Sequence, residues 1–244
     1  MIKKILAVSF SLLVMQTTAS YAQGMGDYEL FMKDAKGLSN LYRGAATLNY
    51  KFKYTGTYFA YSDEFVHGDV LYNDKLYKDV LLNLNSHLDE LYVFVKENGI
   101  PVMLNKDFVE RFRIGDRKYR NFKFSSTNLA LEDGYYEVLW SNSSDEFIKK
   151  TTKQYEERIN LSGSYDQSNK IERLFVPSDK YFLLKDKLAK QIKRTSQIRS
   201  IYGVSGGLIR KHIRDNNLDT KHNKDIAFTS IVKFINSSLL PNSK

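Results

Sequence analysis

Short apolar runs separated by compact polar turns recur along most of this chain, and that rhythm restricts it to an antiparallel sheet. Residues 70–72 and 76–84 flank Asn73-Asp74-Lys75, and residues 91–95 and 100–104 flank Glu97-Asn98-Gly99. Asn-Gly tolerates the positive φ angles that a tight hairpin needs. The pattern repeats at 108–114 and 118–124 around Gly115-Asp116-Arg117, and at 135–140 and 147–155 around 142–145. Several short strands with turn chemistry between them indicate a meander, not alternating β-α-β units.

Upstream, Leu48, Tyr50, Phe52 and Tyr54 alternate with Asn49, Lys51 and Lys53, the period-two signature of a half-buried strand. Downstream, the polar stretch 156–170 reads as a long loop. Residues 174–176 and 181–184 predict two further strands, and Lys185-Asp186-Lys187 turns the chain into 188–192. Near Thr195 the period changes to 3.6. Ile198, Ile201 and Tyr202 share a helical face that Gly203 terminates, and Leu208, Ile209 and Ile213 predict a second helix. Asn223 is placed to cap a third, with Asp225 in its first turn and Ala227, Phe228, Ile231, Val232 and Ile235 on its apolar face. The expected fold is α+β. A predominantly antiparallel β meander, either a sandwich or a partly open barrel-like sheet, spans 23–192, and a small C-terminal helical appendage spans 193–244.

The first 22 residues differ in character. Lys3 and Lys4 precede an apolar stretch over 5–15, and Ser20-Tyr21-Ala22 forms a small-residue site before Gln23, the layout of a cleaved export signal. No later segment is apolar enough to span a bilayer, so the expectation is a soluble periplasmic or secreted protein. The chain contains no cysteine and only three prolines, while 42% of its residues are apolar. A core, not disulfides, must therefore supply stability. Thiol nucleophiles, iron–sulfur clusters, thiolate zinc sites and lipidated cysteines are excluded.

The net charge is +9, and it is concentrated. Eleven basic residues lie between Lys185 and Lys224 against only Asp186, Asp215 and Asp219. Such a segment attracts anions, and Lys193, Arg194, Arg210, Lys211 and Arg214 are its best-placed members. For an exported chain the expected partners are phosphorylated lipid head groups, acidic glycans or an acidic envelope protein, not nucleic acid. The alternative is a solvated helical surface that merely keeps the chain soluble.

Leu41-Tyr42-Arg43-Gly44, Gly68-Asp69-Val70-Leu71-Tyr72, Tyr77-Lys78-Asp79-Val80-Leu81-Leu82-Asn83 and Gly134-Tyr135-Tyr136-Glu137-Val138-Leu139, with Leu208-Ile209-Arg210-Lys211-His212-Ile213 near the end, resemble exported β-rich domains common in Bacteroidetes envelope proteins. The resemblance implies an envelope location and a compact β-rich domain. It brings no assigned activity and no catalytic or binding residues.

Candidate chemistry is sparse. Gly203-Val204-Ser205-Gly206-Gly207 matches the G-x-S-x-G nucleophile pattern, with Asp219 and His222 downstream, but its surroundings read as helical and fit a helix–helix turn better. His67, His87, His212 and His222 form no H-E-x-x-H pattern, and His87 with Asp89 and Glu90 reads as a surface loop before it reads as a metal site. Asp63, Glu64, Glu132 and Asp133 are loop acids with no sequence reason to converge as a glycosidase pair. Neither a P-loop nor a dinucleotide fingerprint is present. The 17 tyrosines offer flat faces with polar tips, suited to sugars or peptides or simply to a sheet core. The reading is a non-enzymatic exported envelope protein that acts through binding or assembly, without metal or cofactor. The alternative is a glycan- or peptide-directed hydrolase centred on Ser205 or a carboxylate pair.

Overall fold

The computed structural model of the chain describes residues 40–47, 50–96, 99–123, 131–160, 170–186 and 188–239. The export signal expected over 1–22 lies outside the described residues, as do Leu48 and Asn49 of the first expected strand and Asn98 of the second hairpin. Two compact units divide the chain, Met1–Arg43 and Gly44–Lys244. In the first, Asn40–Tyr42 forms a short 3-10 turn.

The second unit is built on one open antiparallel sheet. Its strands are β1 (Ala45–Ala46), β2 (Val66–Tyr72), β3 (Lys75–Asn85), β4 (Glu90–Val95), β5 (Ile100–Met103), β6 (Val109–Ile114), β7 (Arg117–Phe122), β8 (Gly134–Ser141), β9 (Asp145–Asn160), β10 (Lys170–Lys185) and β11 (Leu188–Ile192). Their order is β1-β5-β4-β3-β2-β6-β7-β8-β9-β10-β11. The turn residues take the conformations their chemistry favours: Asn73 and Asp74 have φ of 49° and 61°, Gly99 63°, Gly115 55° and Asp186 51°.

The order departs from a plain meander at one point. After β5, Asn105 accepts a hydrogen bond from the Asp107 N–H and caps the 3-10 turn Lys106–Phe108. The chain then returns to the free edge of β2, which β6 pairs antiparallel. Gly68 permits this approach, because a Cβ there would stand 1.8 Å from the Arg113 carbonyl oxygen.

Three expectations are corrected. Residues 50–54 form no strand; their aromatic rings instead collect around Phe175, with Tyr50, Tyr54 and Tyr58 centroids 5.2, 5.2 and 5.7 Å from it. The segment touches the sheet through the isolated bridge Thr55–Leu174. Residues 156–160 and Lys170, expected within a long loop, belong instead to β9 and β10, and 161–169 lie outside the described residues. The two strands expected over 174–184 are one. Pro177 sits inside β10 without breaking it, since β11 pairs only from Tyr181 onward and among the described residues no strand pairs the other edge of β10 at Pro177.

Three helices follow: α1 (Thr195–Tyr202), α2 (Gly206–Asp215) and α3 (Lys224–Phe234), the last continuing into a π-type turn Ile235–Leu239. Gly203 at φ 66° ends α1, as its lack of a Cβ allows. Gln197 folds back to accept from the Lys193 and Arg194 N–H groups. Asn223 occupies the N-cap of α3, but its side chain makes no capping hydrogen bond.

The apolar face of α3 is buried as its spacing predicts. Ala227, Phe228, Ile231, Val232 and Ile235 pack with Ile198, Tyr202 and Ile209 on Phe147, Tyr181, Leu183 and Ile192 of the sheet. Alternate residues of the same strands, Ile148 and Phe182, join Tyr136, Leu131 and Ala189 in a separate cluster. Because β2 lies between β3 and β6, Gly68→Ala is expected to cost about 1–3 kcal/mol or more. A lowered urea midpoint with no change in denaturant slope checks this; an unchanged midpoint refutes the packing argument.

Candidate functional site

Charged residues inside an apolar strand need partners, and this fold supplies them at two places. Lys149 on β9 is 1% exposed, and its Nζ lies 3.1 Å from Glu137 Oε2 on β8 and 2.5 Å from Asp225 Oδ2 on α3. Lys149 also donates to the Tyr61 hydroxyl at 2.8 Å. Tyr61 in turn donates to Glu137 Oε2 at 2.5 Å, Arg117 donates to Glu137 Oε1 at 2.9 Å, and the Tyr181 hydroxyl donates to Asp225 Oδ1 at 2.6 Å. Burial acts to lower the Lys149 pKa, but Glu137 and Asp225 outweigh it and hold it above the ordinary lysine value. Burial and the adjacent carboxylates push Tyr61 and Tyr181 far above a free phenol.

Tyr61, Arg117 and Glu137 of this network line a hollow of about 750 Å³, bordered by the 60–64 connection, the β6–β7 turn, β8 and Lys233 of α3. The Arg117 guanidinium lies 3.7 Å from the centroid of the Tyr61 ring, so Tyr61 and Glu137 together fix its plane. Trp140, Tyr119, Glu64, Asp116 and Lys118 complete the walls.

A second buried ion cluster lies at the β3–β4 turn. Asp89 meets Lys150 at 2.7 Å and Lys106 at 2.5 Å. Burial lowers the Lys150 pKa, and Asp89 only partly offsets it. Gly134 leaves room for the cluster: a Cβ there would fall 2.1 Å from Asp89 and 2.4 Å from Lys150.

The basic residues singled out by sequence fall into two groups. Lys193 borders a small hollow of about 250 Å³ with Lys150 and Lys180, and Arg194 precedes α1. Arg210, Lys211 and Arg214 are exposed on α2, with Asp215 2.5 Å from Lys211 and 3.7 Å from Arg214. Ser205 is the N-cap of α2, where its hydroxyl oxygen accepts from the Gly207 N–H. His222 pairs with Asp219 in its own local turn at 3.0 Å. The structure thus gives Ser205 a capping role and His222 a different partner.

The remaining candidates also disperse. His87 Nδ1 meets the Lys153 carbonyl, Glu90 accepts from Tyr92, and Asp89 serves the two lysines. Among the described residues no group of three or more histidine and acidic side chains is placed to hold a metal ion. Glu64 and Glu132 border different hollows, and Asp63 accepts from Thr57. Sequence reasoning missed Glu137 and Lys149. Their signal was present, since each is a charge within an apolar strand run, Tyr135-Tyr136-Glu137-Val138 and Phe147-Ile148-Lys149.

Comparison with protein-family models, with curated proteins and with solved structures gives no match. Among the described residues no helix is long and apolar enough to cross a membrane.

Lys149→Met leaves Glu137 and Asp225 facing each other without their shared cation, and is expected to cost about 3–5 kcal/mol. Because the folded Lys149 pKa is raised, its contribution is complete below about pH 10.4, the ordinary lysine value, and disappears as pH rises through the raised one. Urea denaturation from pH 7 to 11 should therefore show a gap between wild type and variant that is constant up to about pH 10 and begins to narrow above it. A gap constant over the whole range would place the loss in packing instead.

Proposed function

We infer that this chain is an exported protein of the cell envelope that works by binding, and that it meets an anionic partner through the cationic face of α2. The observation that carries the reading is the exposure of Arg210, Lys211 and Arg214 together on one short helix, with Asp215 the acid beside them. Spacing of three and four residues sets Arg214 beside both Lys211 and Arg210 on the helix surface. Ile209 at the same helix's inner face is buried in the core, so the cations stand on a fixed base. The opening segment and the resemblance to exported Bacteroidetes domains support the location.

Lys193 and Arg194 form a separate exposed cationic patch between β11 and α1. The hydrolase reading has less support, because Ser205 and His222 are each committed to a different local contact.

Each basic residue near an anionic surface contributes about 1 kcal/mol, so removing three weakens association about 100-fold. The test is sedimentation with vesicles of phosphatidylglycerol and phosphatidylcholine, beside vesicles of phosphatidylcholine alone. Wild type should bind the anionic vesicles at low ionic strength and release them at about 0.5 M salt. The triple variant Arg210→Gln, Lys211→Gln, Arg214→Gln should lose most of that binding. Equal binding at both salt concentrations, or by wild type and variant, would sink the electrostatic reading.

A further inference from the structure

The hollow beside the Glu137 network continues into a second one of about 740 Å³, because Arg117, Leu139 and Lys233 border both. Together they make an open groove from the 60–64 connection across β8 to the surfaces of α2 and α3. Each part falls within the roughly 300–1,000 Å³ typical of small-ligand sites, so the pair has room for several linked rings.

Three properties of the groove converge on one ligand chemistry. The strands beneath it, β7 and β8, are each paired on both sides. No open backbone ladder is therefore offered to an extended peptide, and recognition falls to side chains. Aromatic surface is available: Tyr61 is 44% exposed, with Arg117 over one face of its ring and the other face left for a ligand, and the half-buried Trp140 stands in the wall. Flat rings of this kind accept the C–H faces of pyranoses while leaving hydroxyls free at the edges.

Charge makes the decisive distinction. Around the groove Arg117, Lys118 and Lys233, with the buried Lys149 behind them, are matched by Glu64, Asp116, Glu137 and Asp225. A ligand of net charge gains little from such a balanced field. Sugar hydroxyls both donate and accept, and interspersed ammonium, guanidinium and carboxylate groups satisfy both functions. The groove is also preorganised, because Glu137 holds Arg117 and the Tyr61 hydroxyl from below and less side-chain freedom is lost on binding. We propose that this groove binds a neutral oligosaccharide chain, with Tyr61 and Trp140 as stacking surfaces and Glu64, Asp116 and Lys233 as hydroxyl partners. The site is distinct from the cationic face of α2 and does not depend on it.

Trp140 is the only tryptophan, so its emission reports on this wall. The full chain is titrated with neutral hexaoses of glucose, xylose, mannose and N-acetylglucosamine, with hexagalacturonate and an unrelated hexapeptide as comparators. At least one neutral hexaose should give a saturable change with a dissociation constant below about 1 mM. Its affinity should stay constant from low to high salt, where vesicle binding by α2 falls, so failure of either reading shows separately.

Glu64→Gln combined with Asp116→Asn should weaken the sugar at least about tenfold. Glu172→Gln, far out on the β9–β10 ribbon, should leave it unchanged. No saturable response to any neutral hexaose overturns the proposal. So does a tighter response to hexagalacturonate or to the peptide, or sugar binding that survives the Glu64 and Asp116 substitutions.

Discussion

A single buried ammonium group joins the two halves of this fold. Lys149 carries its charge into the space between sheet and helices, where it is nearly inaccessible to water. Removing such a group from water costs several kcal/mol, and only close carboxylates with satisfied hydrogen bonds offset that. One carboxylate, Glu137, comes from the neighbouring strand, and the other, Asp225, comes from the first turn of α3. The helix is thus fixed in position as well as buried, since sliding along the sheet would strand the cation. The same carboxylate of Glu137 orients Tyr61 and Arg117, so the shape of the groove follows from the solvation of Lys149.

The adjacent residue extends this constraint to strand register. Lys149 and Lys150 are consecutive in β9 and point to opposite faces, as strand geometry requires. Each finds a different acid, Glu137 and Asp225 for one and Asp89 for the other. A slip of one residue would carry both ammonium groups to the wrong faces, together with Phe147 and Ile148. Apolar packing alone tolerates some rearrangement. Two ion clusters on opposite faces, one buried and one partly so, do not, which fixes the position of β9 in the sheet.

What was legible in the sequence is the part governed by local chemistry. Asn73-Asp74, Gly99, Gly115 and Gly203 take left-handed conformations where turn and cap preferences place them. The apolar spacing of α3 identifies its buried face residue by residue. Pairing between distant segments was not legible. Nothing local to β6 says that it passes β5 and returns to β2; Gly68 permits the approach but does not advertise its partner. The alternation of Tyr50, Phe52 and Tyr54 misled for a related reason. Period two marks side chains on alternating sides of an extended chain, and it holds whether the backbone joins a ladder or only delivers rings to an aromatic cluster. Asp225 shows the same limit, because its position suits the helix dipole, while its carboxylate in fact serves a lysine 76 residues away.

The helical segment reads in sequence as an appendage, but its physical role is that of a wall. Without it, Phe147, Tyr181, Leu183 and Ile192 would face solvent from one side of the sheet. α2 is held by Ile209, by stacking of His212 on Phe234 at 4.2 Å, and by the His212–Ser230 hydrogen bond at 3.0 Å. α3 places Lys233 at the junction of the two hollows and Asp225 on Lys149. One helical unit therefore completes the core, borders the charge-balanced groove and turns Arg210, Lys211 and Arg214 outward. These surfaces obey opposite electrostatics. An exposed cationic helix attracts over a distance and weakens with salt, while a groove of matched charges selects by shape and hydrogen bonding and hardly responds to it. A scaffold whose helices are locked to its sheet by a buried ion cluster can carry both without either disturbing the other.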